Sequence, residues 1–165
     1  MSVDVQDQAE VQDNLWKEIG DARSGMLGVI DGPPRHFQPM TPNCDRDAGR
    51  IWFFVKRDAE LYKALGEGRE SLFTIHVKDY QACIAGRLSA KQDRAVVDRY
   101  WNPVIASWFS GGKDDPTLGL MCFDCEEAEI WLNQASPVRF GFEVAKSHVT
   151  HNPPDVGDKA SVSFG

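Results

Sequence analysis

The sequence is poor in the features that would place it at once in a familiar class of protein. Four cysteines among 165 residues are too few for a disulfide scaffold. Lys and Arg number 18 against 25 Asp and Glu, which gives a net charge of −7. This balance argues against a duplex nucleic-acid binder and against a protein that binds anionic membranes. No apolar run approaches the roughly 20 residues of a membrane-spanning helix.

Common catalytic and metal-binding motifs are also missing. The chain has no G-x-S-x-G, no Walker loop and no H-E-x-x-H. Its four histidines show no metal-ligand spacing, so no metal site is expected. The acidic pairs Asp114-Asp115 and Glu126-Glu127 are interpreted as solvated surface residues. The first 13 residues lack the positive and then apolar pattern of an export signal, which predicts a cytoplasmic protein.

The closest cysteines, Cys122 and Cys125, lie in the strand-like stretch L-G-L-M-C-F-D-C. Their C-x-x-C spacing is also found in redox and zinc sites. A structural zinc site needs four ligands, however, and the chain has no second close pair. Side chains three positions apart on a strand point to opposite faces. We therefore interpret these thiols as structural.

Hydrophobic periodicity and turn residues predict a series of short strands and a few helices. An amphipathic helix is predicted over Glu10–Arg23, a short one capped by Asp58, and one over Asp93–Phe109 that Pro103 interrupts. The predicted strands are Met26–Asp31, Arg35–Thr41, Arg50–Val55, Ser71–Lys78, Tyr80–Leu88, Leu118–Asp124 and Ala128–Leu132, with Arg139–Ala145 at an edge. Residues 1–9 are expected to be a flexible N-terminus, 10–150 one domain, and 151–165 an irregular tail. The pattern indicates a mainly β (α+β) antiparallel domain, and alternation alone leaves barrel and sandwich open.

The order of several short stretches carries a family resemblance. An N-terminal amphipathic helix precedes M-L-G-V, then Q-P-M-T, then G-R-I-W-F-F-V-K-R-D. Further on come W-N-P-V-I-A-S-W-F-S-G-G-K-D-D-P, the most specific stretch, and E-E-A-E-I-W. Over about residues 10–158 the chain resembles the general stress protein branch of the pyridoxamine 5'-phosphate oxidase-like, FMN-binding split barrels. The resemblance implies a six-stranded antiparallel split β-barrel with peripheral helices, and a homodimer with FMN bound across its interface.

The resemblance also implies which residues bind the cofactor. Gln81 and Trp131 are expected from the other protomer, although Trp131 also fits a packing role. The remaining expected cofactor-binding residues are Gln38, Pro39, Met40, Thr41, Phe53, Phe54, Val55, Lys56 and Arg57. Trp101 and Trp108 are assigned to packing.

The phosphate end of the implied site departs from the family pattern. The positions where relatives bind the phosphate hold Gln38, Val55, Ala59 and Leu61 in this chain. Each charge-assisted hydrogen bond that is missing costs about 1.5 to 3 kcal/mol. Lys56 and Arg57 are expected to replace them, with Arg35 as a more distant candidate.

The function implied is that of a flavin-binding protein, FMN being preferred, and of a flavin-dependent oxidoreductase with an unspecified substrate. Pyridoxamine-phosphate oxidation is not expected, because the chain offers no clear second cationic cluster beyond Arg139. No residue resembles an obligatory proton donor, so no catalytic residue is assigned. Two alternatives stay open: a non-enzymatic binding or sensing protein for FMN, FAD or another flat cofactor such as a deazaflavin, and a cofactor-free dimeric interaction protein.

Overall fold

The computed structural model describes residues 5–132 and 158–165. In these ranges the chain forms eight strands, four α-helices and two short 3-10 helices. The helices are α1 (Val5–Asp21), α2 (Glu60–Ala64), α3 (Arg94–Tyr100) and α4 (Pro103–Trp108), and the 3-10 helices cover Arg46–Ala48 and Gly112–Asp114. The strands are β1 (Gly25–Val29), β2 (Gln38–Met40), β3 (Asn43–Asp45), β4 (Arg50–Lys56), β5 (Arg69–Val77), β6 (Tyr80–Ala90), β7 (Leu118–Leu132) and β8 (Asp158–Ser163).

The eight strands form one antiparallel sheet that curls into a half-barrel. Their order is β2-β1-β5-β6-β7-β4-β3, and β8 pairs with β7. The edge strands β2 and β3 are separated in sequence only by Thr41 and Pro42, so the curl brings the two edges of the sheet close together. A β-bulge in β7 bends this strand further: Ala85 pairs with Glu127 but Gly86 pairs with Cys125, which leaves Glu126 as the extra residue. The mainly β antiparallel fold expected for a split barrel is confirmed.

The number and bounds of the strands differ from the prediction. The described residues hold eight strands where seven were predicted in the same residues, and Asn43–Asp45 is an additional short edge strand. Asp158–Ser163, in the tail predicted to be irregular, pairs with β7. The bulge also lets β7 run without a break through the two predicted strands. The predicted strand Arg139–Ala145 lies outside the described residues.

Two helix termini also differ from the prediction. Helix α1 begins at Val5, so that residues 5–9 of the predicted flexible N-terminus are helical. Helix α2 has Ala59 rather than Asp58 at its N-cap, with no side-chain hydrogen bond. The predicted interruption at Pro103 is confirmed: α3 ends at Tyr100, and Pro103 opens α4, where its missing N–H costs no helical hydrogen bond.

Strand β4 separates two hydrophobic cores. Ile51 and Phe53 point into the half-barrel, where they pack with side chains of α1, α2 and the other strands. Trp52 and Phe54 point to the outer face, where α3 and the end of α4 cover them. Cys122 packs in the outer core and Cys125 against the inner one, so the predicted opposite orientation is confirmed. Both are free thiols, and burial raises the pKa of Cys122 to about 11.

The loop after α4 is held by Asp115, which is buried rather than solvated as the sequence predicted. Its carboxylate accepts hydrogen bonds from the Gly111 N–H at 2.8 Å, the Thr117 N–H at 2.8 Å and the Thr117 hydroxyl at 2.7 Å. These donors stabilise the charged form, and the hydroxyl contributes most, so the pKa of Asp115 falls to about 2. A carboxylate therefore fixes the path of the chain from α4 into β7.

None of the helices in residues 5–132 and 158–165 has the length and apolarity needed to cross a membrane. The same residues contain no cluster of three or more side chains suited to holding a metal ion.

The close strand contact at Gly86 predicts a strong effect of a single methyl group. A Cβ at this position would lie 2.2 Å from the main-chain oxygen of Asp124 and 3.0 Å from the Phe123 ring. We expect Gly86→Ala to lower the free energy of unfolding by about 1 to 3 kcal/mol in urea titrations. Gly20→Ala is the control, because its Cβ would meet nothing within 4 Å and Ala favours the helix by up to about 1 kcal/mol. Equal effects of the two variants would contradict the assigned strand contact.

The depressed pKa of Asp115 predicts a stability difference that depends on pH. Because the folded-state pKa of about 2 lies below the ordinary value of 3.8, the stabilisation is complete above about pH 4 and is lost as the pH falls towards 2. Asp115→Asn should therefore be less stable than the wild type at pH 7, and this difference should shrink progressively below pH 4, measured by urea unfolding. Asp58→Asn, which removes an exposed carboxylate, is the control. A difference independent of pH would show that the charge of Asp115 is not responsible.

Candidate ligand-binding site

A large cavity among the described residues lies between β2, the end of β4 and α4. Its volume is about 560 Å³, within the range of about 300 to 1,000 Å³ common for small-molecule sites. Strands β2 and β3 have no further strand partner there among the described residues, so the sheet leaves room for a ligand. The cavity is lined by Arg23, Pro39, Met40, Thr41, Asn43, Phe54, Val55, Lys56, Asn102, Val104, Ile105, Trp108 and Phe109.

The alternation of β4 decides which of its side chains reach the cavity. Phe54 and Lys56 lie on the outer face, towards α4, and both line the cavity. Phe53 points the other way, is fully buried and packs edge-on against Phe73 at 5.1 Å between ring centroids. Val55 borders the cavity although its side chain belongs mainly to the inner core.

Helix α4 forms the wall opposite the sheet. Its N-terminus is capped by Asn102, whose side-chain oxygen accepts a 2.8 Å hydrogen bond from the Ile105 N–H. Its C-terminal end is held by Phe109, which is buried in the outer core beside Trp101. Between these anchors, Val104 and Trp108 line the cavity and are 70% and 69% exposed. Trp101 packs as predicted, whereas the packing role predicted for Trp108 is wrong in this chain.

Lys56 is placed at the junction of α4 and the following loop. Its ammonium donates hydrogen bonds to the main-chain oxygen of Trp108 and, at 3.4 Å, to the hydroxyl oxygen of Thr117. It also lies 4.4 Å from the centre of the Phe109 ring, a cation–π contact. Thr117 is itself oriented by Asp115. An ammonium has three donors, so one remains for a ligand.

The cavity is positively charged in an otherwise acidic protein. Arg23 and Lys56 line it, and none of the described lining residues is Asp or Glu. Among the described residues Arg23 has no ion-pair partner, while five of the other eight described arginines are paired with aspartates. The chemistry of the lining therefore suits a ligand with a flat apolar part and an anionic part.

A second, smaller cavity of about 320 Å³ contains Gln81 and Trp131. These residues face each other across the β6–β7 pair, because Gln81 pairs directly with Trp131. Ser24, Gly25 and Met26 line this cavity, so the chain passes from one cavity to the other directly after Arg23. The smaller cavity also contains Thr74, His76 and Cys83.

The structure thus divides the predicted cofactor-binding residues. Pro39, Met40, Thr41, Phe54, Val55 and Lys56 meet in the large cavity, and Gln81 with Trp131 in the small one. Gln38 does not line either; its amide lies 3.8 Å from the Met40 sulfur. Phe53 is in the core, and Arg57 turns away to donate a 2.6 Å hydrogen bond to the Leu118 oxygen. Arg35 is exposed outside both cavities.

The positions expected to bind the phosphate by family resemblance do not reach the large cavity either, apart from Val55. Leu61 is 2% exposed and Ala59 packs against the inner core. Their apolar side chains serve the packing of α2. A phosphate bound by this chain would therefore need cationic side chains from other positions.

Sequence reasoning missed Arg23 and the two amides Asn43 and Asn102, and it gave Trp108 the wrong role. Asn102 before Pro103 is a helix N-cap signal, which indicated where α4 starts but not that it borders a cavity. Arg23 follows a helix in a polar stretch, R-S-G, and nothing local marks it. Its position depends on the pairing of Gly25 with Met40, which joins distant parts of the chain.

The chain is similar to known proteins along most of its length. Residues 10–155 match the family model "Pyridoxamine 5'-phosphate oxidase like". No curated protein matches the sequence.

Several solved structures are similar to this one. A protein from Jannaschia sp. CCS1 that is described as general stress protein 26 is 33% identical with a TM-score of 0.75, over 94% of this chain and 99% of that one. A general stress family protein from Xanthomonas campestris pv. campestris is 44% identical with a TM-score of 0.71, over 78% and 90% of the two chains. The general stress FMN/FAD binding protein from Xanthomonas citri is 42% identical with a TM-score of 0.71, over 78% and 92%. The family match and these similarities together show that the chain belongs to the pyridoxamine 5'-phosphate oxidase-like family, alongside general stress proteins.

Proposed function

We propose that this protein binds a flavin, with FMN preferred, in the cavity between the 39–41 segment, β4 and α4. The observation that carries the proposal is the lining of that cavity: two cations, apolar and aromatic walls, and no carboxylate among the described lining residues of a chain with a net charge of −7. The similar protein from Xanthomonas citri, which is an FMN/FAD binding protein, supports it.

The chemistry of the donor set fits both ends of FMN. Pro39 and Phe54 offer apolar surface for a flat ring, and Asn43 and Thr41 offer polar groups for the ring edge or the ribityl hydroxyls. Lys56 and Arg23 would hold the phosphate, since the side chains at positions 55, 59 and 61 have no hydrogen-bond donor to offer it. Lys56 is oriented by Trp108 and Thr117 before any ligand arrives, which reduces the cost of ordering it on binding.

We further propose that the functional unit is a homodimer. Gln81 and Trp131 lie in a separate cavity of the same chain, and in a two-fold dimer the small cavity of one protomer would complete the large cavity of its partner. Met26, beside this small cavity, is 41% exposed and supports a covered surface there.

When bound, the flavin supplies the redox chemistry, so the proposed activity is that of a flavin-dependent oxidoreductase. The chain's own residues orient the ring and neutralise the phosphate. A second candidate is a flavin carrier or sensor without catalysis. It is favoured by the described lining of the large cavity, which contains no His, Asp, Glu, Cys or Tyr that would exchange a proton with a substrate.

The proposed flavin site predicts which cation binds the phosphate of FMN. Purified protein should bind FMN, seen as visible flavin absorbance that survives desalting. Lys56→Ala should weaken FMN binding at least tenfold, because a charge-assisted hydrogen bond is worth about 1.5 to 3 kcal/mol. Arg57→Ala is the matched control: it removes a neighbouring cation that faces away from the cavity, and it should change FMN affinity little. A colourless protein that titrates with no flavin would refute the proposed function.

The second prediction concerns the dimer. Lys56→Ala and Trp131→Ala should each bind FMN weakly as homodimers. When the two variants are mixed and allowed to exchange subunits, each mixed dimer regains one intact site, formed by Lys56 of one chain and Trp131 of the other. Fluorescence titration should then show tight binding of about half an FMN per chain in the mixed dimers. Mixtures that stay as weak as the parents would show that Lys56 and Trp131 do not act across a dimer interface.

A further inference from the structure

Helix α4 exposes two large apolar side chains at the mouth of the large cavity. Val104 and Trp108 are the most exposed large apolar side chains among the described residues, at 70% and 69%. They are four positions apart, so they lie side by side on one face of the helix. An indole left this open to water is unusual, and tryptophan is enriched where proteins bind their partners.

The backbone that carries Trp108 is firmly held, although its side chain is exposed. Asn102 caps the start of α4, and the next residue after Trp108, Phe109, is 3% exposed in the outer core. The Trp108 carbonyl accepts the hydrogen bond of Lys56. Because the backbone of Trp108 is already fixed, ligand binding would have to order only its indole side chain.

The surface opposite Trp108 determines what it would bind. Across the cavity lie Phe54 and Pro39 from the sheet, and Lys56 and Arg23 supply positive charge without a described carboxylate. This combination complements an anionic molecule with a planar aromatic ring.

We propose that Trp108, with Val104 beside it, forms the outer wall of the large cavity and stacks on the isoalloxazine ring of the bound flavin. The inference rests on the proposed flavin site and adds α4 of the same chain to the residues that hold the ring. Lys56 is anchored on the Trp108 carbonyl, so the ring contact and the phosphate contact meet at one residue. Lys56 bonds the backbone carbonyl of Trp108 and not its indole. The indole therefore governs the affinity for the ring separately from the phosphate contact.

Titrations with riboflavin and FMN separate the two contacts, because riboflavin has the ring but no phosphate. Trp108→Ala should weaken the binding of both flavins by about tenfold. Trp108→Phe keeps an aromatic face and should stay within about threefold of the wild type. Lys56→Ala should weaken FMN binding much more than riboflavin binding, because only FMN carries the phosphate. Ile30→Ala, which removes another exposed apolar side chain away from both cavities, should change neither affinity.

The outcomes distinguish this inference from the proposed function. A wild type that binds neither flavin would overturn both. If the wild type binds flavin and Trp108→Ala binds riboflavin with the same affinity as the wild type, the stacking role alone is overturned. Light scattering during the titration tests the other occupant of this surface, a second copy of the chain. If Trp108→Ala weakens the dimer while dimeric variant and dimeric wild type bind riboflavin equally, Trp108 serves the dimer and the stacking role is wrong.

Discussion

The burial of β4 on both faces is the constraint on which the rest of the molecule depends. Most strands of the half-barrel have one face in the inner core, but β4 and the adjoining start of β7 also carry the outer core that α3 and α4 cover. Successive side chains therefore have no freedom to exchange faces, because a shift of one residue would place every one of them in the wrong core. Since Lys56 ends this strand on the outer face, its ammonium is directed to α4. The candidate site is a consequence of that packing.

Electrostatics then distinguish this corner of the protein from the rest of its surface. Five of the nine described arginines are paired with aspartates, as in the 2.7 Å pair of Arg50 with Asp124 and the 2.5 Å pair of Arg69 with Asp31. Lys56 is held instead by uncharged oxygens, and Asp115 acts on it chiefly through Thr117. The positive charge of Lys56 therefore remains available to a ligand. An acidic chain keeps in this way a small region that attracts anions.

Much of the fold and about half of the lining of the candidate site could be predicted from the sequence, and the failures have physical causes. Alternating apolar residues and a specific stretch around Trp101 led to the right fold and family. The strand R-I-W-F-F-V-K could be located but not oriented, so Phe53 and Phe54 were both assigned to the site although only Phe54 reaches it. Arg57 failed as a cavity residue because a main-chain oxygen on β7 binds its guanidinium. Asp115 was interpreted as solvated because no local pattern shows three donors converging on it.

The sequence by itself determined most strands of the domain, the interruption at Pro103 and the membership of a family, because these depend on residue periodicity, backbone chemistry and local motifs. Only the tertiary structure decided which face of β4 packs towards α4. It also decided that Arg23 and Lys56 line one cavity without a described carboxylate, and that the Trp108 side chain is exposed at the mouth of that cavity. Those facts depend on strand pairs and packing contacts between residues far apart in the chain. The curl of the sheet brings such residues together, and no local sequence pattern predicts that curl.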